Sequence, residues 1–252
     1  MIAFVAAALV LCDTPDMSAA GTRARVRAEL TREIADVARR HLATEGAAAL
    51  SLRAVAREMG MASSAVYRYF PSRDELLTAL IVDAYDALGT AAEHAEAVVV
   101  RTDLRGRWRA TCRATREWAL AHPHEYALLY GSPVPGYAAP ETTIAPAARV
   151  GVLLCQVLSD GVAAGTVDPA PDGTGAGAAL TPGLAGSLGL PATLAPRAVT
   201  AWSGLYGAVS FELFGHTHNV VADQAAHFET TVDRLADLAG LPDQEGAEAL
   251  RP

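Results

Sequence analysis

The residues best suited to chemistry in this chain are arginines, and half of them lie in one short segment. Residues 22–73 contain ten arginines and five acidic residues, so the segment carries a net charge of +5. Residues 74–252 contain ten arginines and 21 acidic residues, a net charge of −11, and the whole chain carries −8. A guanidinium makes forked hydrogen bonds to phosphate or guanine, and a local positive patch attracts a polyanion. The segment 22–73 is therefore the candidate nucleic-acid-binding region.

Motifs that would indicate catalysis or metal binding are missing from the sequence. It contains no serine nucleophile elbow, no glycine-rich phosphate loop and no paired-carboxylate motif. His216 and His218 could both face a metal, but nothing nearby completes the ligand set, so a plain helix end is the better interpretation. Cys12, Cys112 and Cys155 are too scattered for a disulfide framework. We predict no enzyme activity, no metal site and no cofactor.

Two helices are predicted in the first half of the arginine-rich segment. Apolar residues recur every three or four positions over residues 29–44, a spacing typical of an amphipathic helix, and Gly46 ends it. Ser51 then stands where an N-cap belongs. A second helix is predicted from there to residue 59, and Gly60 ends it.

A third helix is predicted over residues 63–70, after a turn of at most three residues. Val66 and Phe70 lie one turn apart and can face the core. The polar residues of the same helix then point elsewhere: Ser63, Ser64, Tyr67 and Arg68. Two short helices joined by a tight glycine turn are the helix-turn-helix pattern, in which the second helix enters the major groove of DNA.

The rest of the chain is predicted to be helical as well. Ser72 and Glu75 form a capping box that opens a fourth helix. Periodic apolar residues predict further helices over residues 105–121, 124–130, 144–162, 197–214 and 222–239. Proline and glycine concentrate at 132–140 and at 166–195, which we interpret as loops.

The first residues of the chain are apolar but do not predict a membrane span. Residues 1–11 form an apolar run without a preceding positive charge, and about 20 residues are needed to cross a bilayer. Met17 opens a polar, arginine-rich segment typical of a cytoplasmic N-terminus. We hypothesise that translation begins at Met17 and that the protein is cytoplasmic. A lipoprotein anchored through Cys12 stays open as an alternative.

The segment Ser51–Leu77, SLRAVAREMGMASSAVYRYFPSRDELL, closely resembles the DNA-binding signature of TetR-family regulators. The resemblance rests on the glycine turn, the Tyr-x-x-Phe that ends the reading helix, and the Pro-Ser-basic-acidic-acidic-Leu-Leu that follows. The stretches Trp118–Tyr126 and Ala201–Gly207 resemble one type of ligand domain in that family. The resemblance implies an all-α fold: an N-terminal three-helix helix-turn-helix domain, then a larger helical bundle for ligand binding and dimerisation.

The resemblance also implies a role for individual residues in DNA binding. Ser51 and Arg53 would contact phosphates from the second helix. Ser63, Ser64 and Ala65 would face base edges, while Tyr67 would reach a phosphate. Arg68 and Tyr69 would approach the backbone or the bases, and Arg73 would bind a phosphate at the start of the fourth helix. Ala62 replaces the serine that often caps the reading helix, so the cap is expected to pass to Ser63.

The family's function implies three partners. The chain is expected to be a homodimer, joined through its last two long helices, that binds double-stranded DNA at a palindromic operator and acts as a repressor. Its reading helices would then lie about 34–36 Å apart, one turn of DNA. A largely apolar small molecule would be the effector. Candidates for its pocket are the residues Trp108, Cys112, Trp118, Tyr126, Tyr130, Trp202, Tyr206 and Phe211, for each of which core packing is the simpler interpretation.

The predicted organisation has four parts. They are a disordered or non-native extension at 1–21, the helix-turn-helix domain at 22–73, the regulatory domain at 74–240 and a disordered tail at 241–252. The alternative function is a small-molecule-binding helical protein, or an enzyme, with a vestigial helix-turn-helix. A band-shift assay on the upstream region of its own and the neighbouring gene separates this alternative from a regulator.

Overall fold

The computed structural model describes residues 19–169 and 180–242, and every regular element in these two ranges is helical. This confirms the predicted all-α class. Within the described ranges, ten α-helices and two 3-10 turns follow one another in the order α1 Ala19–Glu45, η1 Ala47–Ala49, α2 Leu52–Glu58, α3 Ser63–Val66, α4 Arg73–Ala97, α5 Leu104–Ala121, α6 Pro123–Tyr130, η2 Glu141–Thr143, α7 Ile144–Ala163, α8 Leu184–Ser187, α9 Ala195–Leu213 and α10 Gln224–Ala239.

The first three helices and the start of α4 enclose a small core, which we call the head. Its buried side chains come from every one of these elements, for example Ile34, Val55, Val66 and Leu77, each fully buried. The chain reverses at Gly60, whose φ of +65° lies in the left-handed region that favours glycine. This turn brings α3 across α2.

Helix α4 is shared between the head and the larger regulatory domain. Its first turns place Leu76, Leu77 and Leu80 in the core of the head, and its later turns place Leu88 and Ala92 in the regulatory core. The helix therefore runs without a break across the boundary predicted between residues 73 and 74.

The regulatory domain packs α5, α7, α9 and α10 around a second core. Trp108 of α5 is fully buried at its centre, and its indole nitrogen donates to the Val232 carbonyl of α10 at 3.2 Å. This bond satisfies the one polar atom of the side chain, so the indole can be enclosed at little cost.

Helix α5 also contains a buried charged side chain. Arg107 is 0% exposed, and its guanidinium pairs with Glu96 at the end of α4 and with Asp160 of α7, the latter at 2.7 Å. Arg101 contacts both of these carboxylates from the α4–α5 loop. These four charged side chains connect α4, α5 and α7 at one end of the domain. The apolar periodicity of the sequence did not predict this ion-pair cluster.

The 3-10 turn η2 and helix α7 together form a helical stretch, Glu141–Ala163, that is long and apolar enough to cross a membrane, one such stretch among the described residues. Leu154, Val157 and Leu158 of this helix lie in the regulatory core, and Asp160 is ion-paired with Arg107. These contacts are those of a core helix.

Several predicted boundaries differ from the structure. Helix α1 begins at Ala19, ten residues before the predicted start, so residues 19–28 are helical. The predicted loop at 166–195 contains α8, and Leu190 and Leu194 are buried. The predicted tail begins with Leu241, which is also buried. Residues 1–18, 170–179 and 243–252 lie outside the described part of the chain. The predictions for these residues, including those for Cys12 and Met17, therefore stay predictions.

Candidate nucleic-acid interface

The reading helix α3 is anchored on one side and open on the other. Val66 and Phe70 are buried in the core of the head, at 0% and 6% exposure. Tyr67 points away from them and is 41% exposed, although large aromatic side chains normally bury more of their surface. Ser64 and Arg68 are exposed beside it. Hydroxyl, phenol and guanidinium donors thus share the solvent side of α3 and of the turn that follows it.

The helix is shorter than predicted because Pro71 follows it closely. α3 ends at Val66, and residues 67–69 form a turn rather than a further helical turn. A residue before proline avoids the helical conformation, so Phe70 cannot continue the helix. Ala62 occupies the N-cap position without a side-chain cap, and Ser63 does not take that role as predicted.

Helix α2 adds a row of guanidinium groups next to α3. Arg53 and Arg57 are both exposed, and four-residue spacing places them on the same face of α2. Within the described contacts neither of them, nor Arg68, is ion-paired, whereas Arg40 is paired with Glu58 at 2.8 Å. Arg57 is therefore an additional candidate for phosphate contact, and its spacing from Arg53 was the available signal.

The extension of α1 braces the turn after α3. Arg27 donates from Nη2 to the Arg68 carbonyl at 3.1 Å, and its guanidinium lies 5.1 Å from the centroid of the Tyr69 ring. A cation over an aromatic face is attracted by the ring quadrupole. Tyr69 is consequently half-buried under Arg27 and less accessible than Tyr67.

Arg73 lies in a different environment from the one predicted. Its guanidinium donates to the carbonyls of Leu50 and Ala47 at 3.1 and 2.9 Å, and to that of Ala48 at 3.2 Å. These carbonyls end the 3-10 turn η1, so the arginine caps that turn and holds it against α4. The contacts favour a structural role over the predicted phosphate contact.

The predicted pocket residues are divided among three places in the regulatory domain. Trp108 and Trp202 line a groove between α7, α8 and α9, whereas Phe211 lines a cleft between α9 and α10. The others lie in or against the packed core: Cys112, Trp118, Tyr126, Tyr130 and Tyr206.

The buried tyrosines form a packed cluster. The Tyr126 hydroxyl lies 2.9 Å from Ser210 Oγ, and the rings of Tyr130 and Tyr206 lie 4.3 Å apart. Burial raises the pKa of Tyr126 to about 12, so its hydroxyl stays neutral at physiological pH. The cluster is therefore part of the core, as the simpler interpretation held.

The fold and the exposed reading helix define a helix-turn-helix DNA-binding regulator. The family described as "Bacterial regulatory proteins, tetR family" matches residues 34–80, and "Tetracyclin repressor-like, C-terminal domain" matches residues 108–235. The chain belongs to the TetR family of transcriptional regulators, as its sequence indicated.

Relatives and solved structures agree with this assignment. The chain is 40% identical to HTH-type transcriptional regulators of Mycobacterium bovis (Mb1846) and Mycobacterium tuberculosis (Rv1816), over 77% of this chain and 85% of each relative. It is similar to the crystal structure of regulatory protein SCO4313, with 33% identity, a TM-score of 0.68 and coverage of 85% and 98% of the two chains. A structure from Rhodococcus sp. RHA1 follows, at 25% identity and a TM-score of 0.65, with coverage of 85% and 96%.

Two serines at helix starts allow stability and DNA binding to be tested separately. Ser72 Oγ accepts a hydrogen bond from the Glu75 amide at 3.1 Å, whereas the Ser51 side chain makes no cap hydrogen bond. We expect Ser72→Ala to lower the free energy of unfolding by about 1 kcal/mol. Ser51→Ala should leave it nearly unchanged and weaken DNA binding instead. Urea unfolding and fluorescence anisotropy with labelled DNA check both, and equal effects of the two variants on stability would contradict the assignment.

Proposed function

We propose that the chain is a ligand-responsive repressor that binds a palindromic operator as a homodimer in the cytoplasm, without enzyme activity. The observation that supports this proposal best is the exposure of Ser64 on α3 and of Tyr67 and Arg68 in the turn that follows it, while Val66 and Phe70 anchor the same segment in the core. A side chain that packs in the core cannot read a groove. These side chains are free of the core and follow helix α2, whose Arg53 and Arg57 are exposed and have no ion pair among the described residues.

Individual roles in this proposal follow from position. Arg53, Arg57 and Tyr67 contact phosphates, together with Ser51 at the start of α2. Ser63, Ser64 and Ala65 face base edges, and Arg68 reaches either the backbone or a base. Serine and alanine offer few bidentate base contacts, so DNA shape contributes to the choice of operator.

The proposed function is tested with DNA fragments from upstream of the chain's own gene and the neighbouring gene. We expect one fragment to be bound in preference to a scrambled control, with affinity that falls steeply as salt rises, because phosphate contacts release counterions. Equal binding of all fragments would favour the alternative, a small-molecule-binding protein with a vestigial helix-turn-helix.

The proposed dimer interface is formed by α9 and α10. Their solvent side contains a cleft of about 300 Å³, in which Gly204, Gly207 and Phe211 of α9 face polar residues that include Gln224 and His227. Phe211 is 56% exposed, and Leu238 of α10 is 42% exposed. Apolar surface of this kind on two long neighbouring helices suits burial against the same helices of a second copy.

A glycine on this surface provides a test of the dimer. A Cβ built at Gly207 meets nothing within 4 Å, so a side chain there fits the single chain and would protrude into a partner. We expect Gly207→Arg to give a folded monomer by light scattering and to weaken operator binding at least about tenfold. Gly186→Arg in α8, another helical glycine with open space, is the control that should remain dimeric. A dimeric Gly207→Arg would place the interface elsewhere.

A further inference from the structure

The groove between α7, α8 and α9 reaches from the surface into the regulatory core. Its volume is about 250 Å³. Fully or almost fully buried side chains form its floor, among them Trp108, Leu154 and Leu158. Val152 and Trp202 stand at its rim, at 46% and 40% exposure. A surface opening with a floor in the core is the shape of a small-molecule site rather than of a flat contact surface.

Small residues create this space. Ala147, Ala148 and Gly151 of α7 line the groove where larger side chains would fill it. A Cβ added at Gly151 would lie 3.5 Å from Trp202 Nε1, in ordinary van der Waals contact. The glycine therefore leaves the Trp202 ring accessible from within the groove, and a longer side chain at this position would occupy the opening.

The wall of the groove contains no charged side chain among the described residues. Its titratable group is the Cys155 thiol, and burial raises the pKa of that thiol to about 11, so it is neutral at physiological pH. An ionised ligand would lose its hydration here without gaining a partner charge, which is costly in an apolar site. An uncharged apolar molecule would lose little and would bury its surface.

The opposite side of α7 is bound to the helix that enters the head. Arg149 donates to the Asp86 carboxylate at 2.9 Å, to Thr90 at 3.1 Å and to both oxygens of Glu93, at 2.9 and 2.6 Å. These hydrogen bonds lower the pKa of Glu93 and keep it ionised. An occupant of the groove and helix α4 therefore contact α7 from its two sides.

We propose that this groove is the effector site and that it takes an uncharged, predominantly apolar small molecule. The proposal rests on the function proposed above, because an effector matters only if the chain binds DNA. It adds the place and the chemical class of the ligand. Occupation of the groove shifts α7, and Arg149 transmits that shift to α4.

The test uses two fluorescent probes that share one ring skeleton. N-phenyl-1-naphthylamine is neutral, and 1-anilinonaphthalene-8-sulfonate carries an additional sulfonate. We expect the neutral probe to bind the intact dimer with a rise in emission, and the sulfonate to bind at least about tenfold more weakly. Gly151→Leu should weaken binding of the neutral probe at least about tenfold, while Ala145→Leu, on an exposed position of α7 outside the groove, should not. Equal binding of both probes, or no effect of Gly151→Leu, would overturn the proposal.

A second readout connects the groove to DNA. Saturating neutral probe should weaken binding of the preferred fragment by the wild type and by Ala145→Leu, but not by Gly151→Leu. A probe that binds in the groove without changing DNA affinity would refute the effector role. If no fragment is preferred and the probe results still hold, the groove is a neutral-ligand site and the proposed repressor function fails by itself.

Discussion

Replacing Arg107 with methionine is expected to lower the free energy of unfolding by about 3–5 kcal/mol. Arg107 is 0% exposed and pairs with Glu96, which is itself buried, and with Asp160. Methionine fills similar space but leaves the Glu96 carboxylate in the interior with only a 3.5 Å contact to the exposed Arg101. An incompletely paired buried charge costs far more than a lost surface pair, because water cannot replace the missing partner.

Arg113 of the same helix provides the matched control. It pairs with Glu229 at 2.6 Å, but the two side chains are 51% and 40% exposed. We expect Arg113→Met to cost less than about 1 kcal/mol. Both variants are compared by urea unfolding at one protomer concentration, because the proposed dimerisation would contribute to apparent stability. If both variants lowered the free energy of unfolding equally, burial would not be the cause of the loss of stability in Arg107→Met.

The Arg107 effect should also depend on pH. Partial burial alone would raise the pKa of Asp160, but hydrogen bonds from Arg107 and Gln156 outweigh it and lower that pKa below its ordinary 3.8. A carboxyl whose pKa is lowered by folding stabilises the protein above its ordinary pKa and loses that contribution as the pH falls through the lowered value. The difference between wild type and Arg107→Met should therefore narrow below about pH 4 and stay constant near neutrality.

Removing the Tyr67 hydroxyl is expected to weaken operator binding about 100-fold or more. A hydrogen bond to a charged group contributes about 1.5–3 kcal/mol, and a dimer presents Tyr67 twice. Each 1.4 kcal/mol corresponds to a factor of about ten in affinity. Tyr67→Phe keeps the ring, which is 41% exposed, so the fold should be unaffected.

The control for Tyr67→Phe is Tyr137→Phe. The Tyr137 hydroxyl lies 2.9 Å from Thr78 Oγ1, between the loop after α6 and helix α4. Its loss should reduce stability and leave DNA affinity per folded dimer nearly unchanged. Anisotropy titrations at several salt concentrations measure both variants. An unchanged affinity of Tyr67→Phe would remove Tyr67 from the DNA contacts and with it the main support for the proposed orientation of α3.

The sequence predicted the helical framework well because periodic apolar residues decide which face of a helix is buried. Val66 and Phe70 were assigned to the core of the head from spacing alone, and Ser72 is the N-cap of α4, which confirms the serine half of the predicted capping box. The start of α1 was missed because residues 19–28 show no apolar stripe. The extension packs through Arg27, whose contacts with Arg68 and Tyr69 are 41 and 42 positions away in the chain.

Roles that depend on distant partners could not be predicted. Arg107 is buried because Glu96 and Asp160, 11 and 53 positions away, converge on it. Arg73 was expected to face DNA, and only the folded chain brings the carbonyls of η1 within its reach. Of the residues that line the groove, Trp108 and Trp202 were named as pocket candidates, because aromatic residues are visible in a sequence. The empty space left by Gly151 and its neighbours was not predicted, because it depends on how α7 and α9 pack.

Because α4 is a single unbroken helix, a small tilt at its regulatory end produces a larger displacement of the head. Arg149 holds α4 at Asp86, Thr90 and Glu93, and Leu76, the first side chain of α4 in the core of the head, lies 17 residues before Glu93. At a rise of about 1.5 Å per residue, this separation is about 26 Å. A tilt of about 6° around the Arg149 attachment would therefore move the head by about 3 Å. In the proposed symmetric dimer two opposite displacements would add to about 6 Å, compared with the 34–36 Å pitch that both reading helices are expected to match.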